Sequence, residues 1–404
     1  MTNMNDVHNT EKKYRLNNQK LQNSEFVSEE NKKAVSRFAD KCFAEGLSKA
    51  RVKKYLTNFH TILKMAEKDF SLKEADKEDL EPLVAKIEQS NYAEATKSDF
   101  KTALTKYYKV MEGNGQKYPE KVNFIDTTRD KTKIEHPDIL EKEEIEQIIQ
   151  ACKNDRDRAM YKVLYEAGVR AGELMSLRIR DVSFNKQGVK LNVRGKTGNR
   201  KILVVESERY LRNWLSKHPF SNRNNAPLWV KVDGKNIDEQ TPEEMAISYD
   251  YMRINLKRKA GKAGIRVKKK ENGKTSSEVY PHLFRHSRAT HLATKMTEAA
   301  MKEYFGWTQN SDMPQTYIHL SGKDIDREIM KIYGLEEEKE ENKKKKCPRC
   351  LKNYKGSEKF CPRCGAPLDQ ETAMKTQEAR EITNKLAKAI IEGEISKEKL
   401  AEIV

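Results

Sequence analysis

At 404 residues the chain is long enough for two or three domains, each with its own core. Its 79 Lys plus Arg against 62 Asp plus Glu leave a net charge of +17, which favours a polyanionic partner such as nucleic acid. No apolar run approaches the roughly 18 residues needed to cross a bilayer, and the polar opening lacks the apolar segment of a signal peptide, so a cytoplasmic protein is expected.

Residues 1–27 are polar and unpatterned and read as a flexible N-terminus. From Ser28 the apolar residues take up a helical period: Val35, Phe38 and Ala39, then Val52, Tyr55, Leu56, Phe59 and Leu63, then Phe100, Leu104, Tyr107, Tyr108 and Met111. This predicts an all-helical bundle over 28–112, interrupted at Gly46 and closed by Gly113-Asn114-Gly115. Lys49, Arg51, Lys53, Lys54 and Lys64 lie on its basic side and are candidates for binding phosphates, against the plainer reading of a solvated face. Residues 113–136 have no helical period and read as a linker.

A second patterned region runs over 137–335. Ile139, Leu140, Ile145, Ile148 and Ile149 predict one helix; Met160, Val163, Leu164 and Ala167 predict another that stops at Gly168. Arg170 then falls on a sharp turn, with Glu173 in the next helix. Val189, Leu191 and Val193 alternate with polar residues, and the run Arg200–Val205 answers them across Gly195-Lys196-Thr197-Gly198-Asn199, a hairpin with Lys196 at its tip. A helix is expected from about Pro242 to Ala260, followed by a basic segment. Pro281 suits the first turn of a helix, in which His282 and Arg285 share a face. Gly306-Trp307 ends a helix, and the polar stretch 308–312 caps a short new one that carries Tyr317 on a small, movable element. Ile325, Ile329, Ile332 and Tyr333 predict a further helix over about 324–334, too short to stand alone, which packs either in cis or on a neighbouring copy.

Residues 336–346 are a charged linker, 347–368 hold two Cys-Pro-Arg-Cys units, and 369–404 form a helical tail with Ile382, Leu386, Ile390 and Ile391. Of the six cysteines, Cys42 and Cys152 sit in helical patterns and read as structural. Cys347, Cys350, Cys361 and Cys364 have the spacing of a four-cysteine zinc ribbon, a reading that a reducing compartment favours over disulfides. The ribbon contacts DNA or a partner, or is simply a structural tail.

An arginine fork grips phosphate, a histidine holds or passes a proton near neutral pH, and a tyrosine hydroxyl forms covalent intermediates. Together they point to phosphoryl transfer through a phosphotyrosine. The ordered set Arg170 in AGVRAGEL, Lys196 in RGKTGNRK, His282 and Arg285 in PHLFRH, Trp307 in FGW and Tyr317 in QTYIHL resembles the tyrosine recombinase, or phage integrase, family over 137–335. More loosely, 28–112 resembles that family's SAM-like core-binding domain.

The resemblance implies a mainly α fold with a small β-sheet: a helical core-binding domain, a mixed α/β catalytic domain and, as an addition, the zinc ribbon. It implies site-specific cutting and rejoining of duplex DNA by a homotetramer on two DNA sites, with no metal or ATP in the chemistry. Arg170 and Arg285 would clamp the scissile phosphate, Tyr317 would attack it, Lys196 would protonate the leaving 5′ oxygen, His282 would assist proton transfer around Tyr317, and Glu173 would brace Arg170. Trp307 stands where most members carry a second His; an indole donates a hydrogen bond and packs, but exchanges no proton. A topoisomerase using the same residues, or a non-catalytic DNA-binding zinc protein, are the alternatives.

Overall fold

The computed structural model describes residues 9–67, 69–113, 117–128, 139–195, 198–232, 240–269, 275–320, 333, 345–350, 353–354 and 358–391. The chain divides into two compact units, His8–Glu135 and one drawn from His136–Val404.

The first unit is all-helical: α1 (Thr10–Gln22), α2 (Glu29–Ala44), α3 (Lys49–Met65), α4 (Lys77–Gln89) and α5 (Glu94–Met111). Ser28 caps α2 by accepting from the Asn31 N–H, and Asp76 and Asp79 exchange capping hydrogen bonds at the start of α4. Phe38, Phe59 and Tyr107 meet at ring-centroid distances of 5.5–5.6 Å in the centre. Such aromatic pairs contribute about 0.5–1.5 kcal/mol each beyond their buried area.

Two expectations need correction here. Residues 10–22, expected to be loose, form α1, which rests on α3 through Asn17 Nδ2 donating to Thr57 Oγ1 at 2.7 Å and through fully buried Leu21. The apolar stripe of α1 is too narrow to announce a helix, so packing rather than periodicity decides it. Within the expected linker, Val122 and Ile125 are buried in the core of this unit, and Ser98 Oγ donates to the Thr127 carbonyl at 3.0 Å. Residues 114–116 and 129–136 of that stretch lie outside the described residues.

The second unit is built on α6 (Lys142–Gln150) and α7 (Asp155–Glu166), followed by the short α8 (Ala171–Met175). A three-stranded antiparallel sheet comes next, in the order β1 (Val182–Asn185), β2 (Gly188–Gly195), β3 (Gly198–Val204). Val189 pairs with Val204 and Gly195 with Gly198, so the apolar side of the hairpin faces the core. The Glu166 carboxylate accepts the backbone N–H groups of Val205, Glu206 and Ser207, tying the exit of β3 to the end of α7.

After α9 (Glu208–Leu215), residues 240–247 form a turn and an isolated bridge, Val230 to Ala246, so α10 runs Tyr249–Lys262 rather than starting near Pro242. Ser248 sets that start by accepting from the Tyr251 N–H. β4 (Val267–Lys269) and β5 (Thr275–Ser277) make a small ladder ahead of α11 (Pro281–Ala293), α12 (Glu298–Phe305) and α13 (Met313–Leu320). The helix expected over 324–334 lies outside the described residues, Tyr333 excepted.

Near the C-terminus, β6 (Lys345–Lys346), within the stretch expected as linker, pairs with β7 (Asn353–Tyr354), and α14 spans Gln370–Ile391. This region is docked on the second unit: Arg158 of α7 donates to the Arg349 carbonyl at 2.5 Å, and Arg212 of α9 donates to Gln377 Oε1 at 2.6 Å. No helix among the described residues is long and apolar enough to cross a membrane.

Candidate active site

The site forms where the ends of α7 and α12 meet α11. Gly168 closes α7 with φ of 57°, and a Cβ there would lie 2.4 Å from the Phe305 ring, so both conformation and space call for glycine. Arg170 follows and opens α8. Its backbone N–H donates to Glu173 Oε2 at 2.9 Å and its Nη1 to Oε1 at 3.0 Å, while the side chain stays one-third exposed.

Glu173 is buried and is gripped a second time by Arg200 of β3, whose Nη2 donates to Oε2 at 2.8 Å and Nη1 to Oε1 at 3.2 Å. Burial alone would raise the Glu173 pKa, but the hydrogen bonds and charge of Arg200, with help from Arg170, outweigh it and hold the carboxyl below its ordinary range. Arg200 Nε also donates to the Tyr304 carbonyl at 2.9 Å, fastening the end of α12 to the hairpin. Sequence reasoning missed Arg200; its one signal was a second arginine in the hairpin motif, and only the pairing register aims it at Glu173.

Arg285 is 5 % exposed and donates to two carbonyls, Gly168 O and Phe305 O, each at 2.7 Å. Its guanidinium lies over the rings of Phe305 and Trp307, 5.2 and 5.7 Å from their centroids. Burial, reinforced by the like charge of Arg170, pushes its pKa down to about 9 against the pull of Glu173. It is still a cation at neutral pH, and one whose own hydrogen bonds go to neutral oxygens. A bound anion would relieve that imbalance.

Gly306 ends α12 in the left-handed conformation, φ 60°, with the Trp307 N–H returning to the Lys302 carbonyl at 2.8 Å. The Trp307 indole stacks with both Phe305 and Tyr317, the latter with centroids 5.6 Å apart and planes within 3°. Tyr317 is 2 % exposed in this arrangement, and burial pushes its phenol up to about 12, with Arg285 opposing. Its hydroxyl is hydrogen-bonded to His286 Nδ1. His282, one turn earlier on α11, is exposed, with its ring 6.4 Å from that of His286.

The structure thus brings Arg170, Glu173, Arg285, Trp307 and Tyr317 into one cluster, with His282 at its edge and His286 inside it. Lys196 lies outside the described residues, but Gly195, which precedes it, approaches Glu173 so closely that a Cβ would stand 2.5 Å from Oε1.

The sequence profile of the phage integrase family matches residues 138–323. Residues 138–323 form a domain of this family, the tyrosine recombinases. Among similar proteins, tyrosine recombinase XerA of Pyrococcus horikoshii is 26 % identical over 318 residues, covering 76 % of this chain and 95 % of the relative. Transposase A from transposon Tn554 of Staphylococcus aureus is 28 % identical over 209 residues, 50 % of this chain and 54 % of that protein.

The fold is shared with the XerH site-specific recombinase bound to palindromic difH substrate, at TM-score 0.53 and 18 % identity over 79 % of this chain and 94 % of the other. A lambda integrase dimer bound to a COC′ core site matches at TM-score 0.52 and 13 % identity over 70 % and 76 %. Tyrosine recombinases cleave and rejoin DNA at specific sites, which is the activity of this chain.

Of the basic residues singled out in the helical unit, Lys49 forms an ion pair with Glu11, and Lys54 one with Asp99 at 2.6 Å. Arg51 donates to the Tyr55 hydroxyl at 3.1 Å, and Lys53 is half-buried. The Sγ atoms of Cys347, Cys350, Cys361 and Cys364 all lie within 4.8 Å of one another, with Cys347 to Cys364 at 3.5 Å and Cys350 to Cys361 at 3.4 Å. Four thiolates around a tetrahedral zinc at about 2.3 Å each stand about 3.8 Å apart, so this donor set fits one metal ion.

Proposed function

We propose that this recombinase works on duplex DNA through a 3′-phosphotyrosine at Tyr317. Arg170 and Arg285 bind the nonbridging oxygens of the scissile phosphate, and Lys196 gives a proton to the leaving 5′ oxygen. His282 contacts the phosphate and assists proton transfer, Glu173 braces Arg170, and Trp307 supports the tyrosine by stacking. The observation that carries this reading is the buried Arg285, a cation bonded to carbonyls, in one cluster with a stacked tyrosine hydroxyl. Fixed positive charge at that point is stabilised most when a phosphate gains charge in the transition state, and the phosphotyrosine retains the bond energy needed for rejoining.

Lambda integrase is known as a tetramer bound to a Holliday junction. By that likeness this chain acts as a homotetramer joining two DNA sites, and Lys49, Arg51, Lys53 and Lys54 contribute to the phosphate-facing side of the helical unit. The four C-terminal cysteines hold one structural zinc ion, separate from the DNA chemistry.

The test uses nicked suicide duplexes tiled across the DNA that flanks the gene for this chain. The unaltered protein is expected to form a covalent adduct, and Tyr317→Phe, which removes only the hydroxyl, to bind the same duplex without forming one. An adduct trapped by Tyr317→Phe would remove Tyr317 from the role of nucleophile.

A further inference from the structure

The hydroxyl that the proposed reaction makes a nucleophile is held by a histidine outside the ordered set that resembles the family. His286 stands immediately after Arg285 on α11, four residues beyond His282, and so on the same side of the helix. Its Nδ1 is hydrogen-bonded to the Tyr317 hydroxyl, and the two rings lie 5.9 Å apart at 35°. A phenol that must attack phosphorus has to lose its proton, and a hydrogen-bonded base already in place lowers the barrier to that loss.

We propose that His286 is the general base of the strand-cleavage step and takes the phenolic proton of Tyr317 onto Nδ1. The inference rests on the phosphotyrosine reading given above. In the step, the Tyr317 Oη–H bond breaks and its proton passes to His286 Nδ1 while Oη bonds to phosphorus. The bond from phosphorus to the 5′ oxygen breaks with its electron pair on that oxygen, and the proton the oxygen needs comes from Lys196. In rejoining, the 5′ oxygen bonds to phosphorus as its proton returns to Lys196, the bond from phosphorus to Tyr317 Oη breaks with its electron pair on Oη, and the His286 proton returns to Oη. Charge and atoms balance without a metal or a second substrate.

The surroundings suit the role. Burial foremost, then the neighbouring His282 and Arg285, lowers the His286 pKa, so the ring rests neutral with a lone pair available. The groups facing it are His282 and Arg285 on its own helix and Tyr317 on α13, with the uncharged Trp307 stacked behind the phenol. A phosphate bound at Arg285 offsets part of the positive charge beside the imidazole, so its basicity rises when substrate is present. Proton transfer is thereby coupled to DNA binding, and the unbound enzyme keeps its tyrosine protonated.

The experiment measures single-turnover adduct formation on the nicked suicide duplexes with the full chain, His286→Ala and His286→Asn. The asparagine Oδ1 occupies the position of Nδ1 and accepts a hydrogen bond but has no basic nitrogen. Both variants are expected to bind the duplex as the unaltered chain does and to form adduct slower by on the order of 10²-fold or more. Replacing Tyr317 by a fluorinated tyrosine, whose phenol ionises without help, restores the rate of both at a pH above its own pKa.

Near-normal rates in His286→Asn mean that holding the hydroxyl is enough and overturn the base assignment. So does a loss that fluorotyrosine does not restore, or one accompanied by lost duplex binding, since either marks a packing role. If the unaltered chain forms no adduct, the phosphotyrosine reading fails and this step falls with it; if it forms adduct and His286→Ala matches it, only His286 is removed.

Discussion

Arg200→Met removes a guanidinium while keeping most of the volume of its stem. In the folded chain that guanidinium makes two charge-assisted hydrogen bonds to Glu173 and one to the Tyr304 carbonyl, with both charged side chains under one-tenth exposed. Breaking a buried pair from one side costs about 3–5 kcal/mol, because a buried charge is left short of partners. Glu173 keeps Arg170, so the lower end, about 3 kcal/mol, is expected. For a unit of this size that corresponds to about 6–10 °C in melting temperature.

The loss also depends on pH in a definite direction. Glu173 has a depressed pKa in the folded chain, so its stabilising contribution is complete above the unfolded carboxylate range and disappears as pH falls through the folded value. The difference between wild type and variant therefore shrinks in acid. Urea unfolding at neutral and acidic pH measures both quantities. A difference below about 1 kcal/mol at neutral pH, the size of an exposed pair, would refute the claim that Arg200 closes a buried network.

Two further outcomes follow from groups away from this cluster. His218 is 4 % exposed, with Nε2 donating to the Pro227 carbonyl at 3.0 Å and Nδ1 accepting from the Phe220 N–H at 3.1 Å; burial pushes its pKa from 6.5 down to about 4. Below pH 6.5 the unfolded chain binds a proton that the folded chain refuses, so about 2 kcal/mol of stability should be lost by pH 5 and about 3 kcal/mol by pH 4. That slope should be missing from His218→Gln in urea titrations. For the cysteine cluster, metal analysis should find one zinc per chain, and none after Cys347→Ser with Cys350→Ser. Adduct formation should persist, because the docking contacts through Arg158 and Arg212 lie on parts of α7 and α9 that do not bear the phosphate-binding groups. Zinc retained by the double variant would refute the four-thiolate site.

Local chemistry made much of the site readable from the chain alone. A glycine that must adopt positive φ marks where α7 and α12 stop, and a proline marks where α11 starts. Those three punctuation points determine which residues leave the helix ends toward one another: Arg170 after Gly168, Trp307 after Gly306, and Arg285 one turn inside α11. The period of the apolar residues likewise determined the helices around Phe38, Phe59 and Tyr107, because a helix needs only its own face to declare itself. Helix α1 and residues 117–128 were hidden for the opposite reason: each buries only a few side chains, and their order comes from a surface that other helices supply.

What tertiary structure alone decided is which side chains share a proton or a charge. Arg200 reaches Glu173 through strand register, and the Tyr317 hydroxyl meets His286 through the way α13 lies on α11. Neighbouring positions on one helix are chemically equivalent in sequence until a second element approaches from a particular direction. A hydrogen bond is directional over a few tenths of an ångström, whereas the sequence pattern specifies faces and periods.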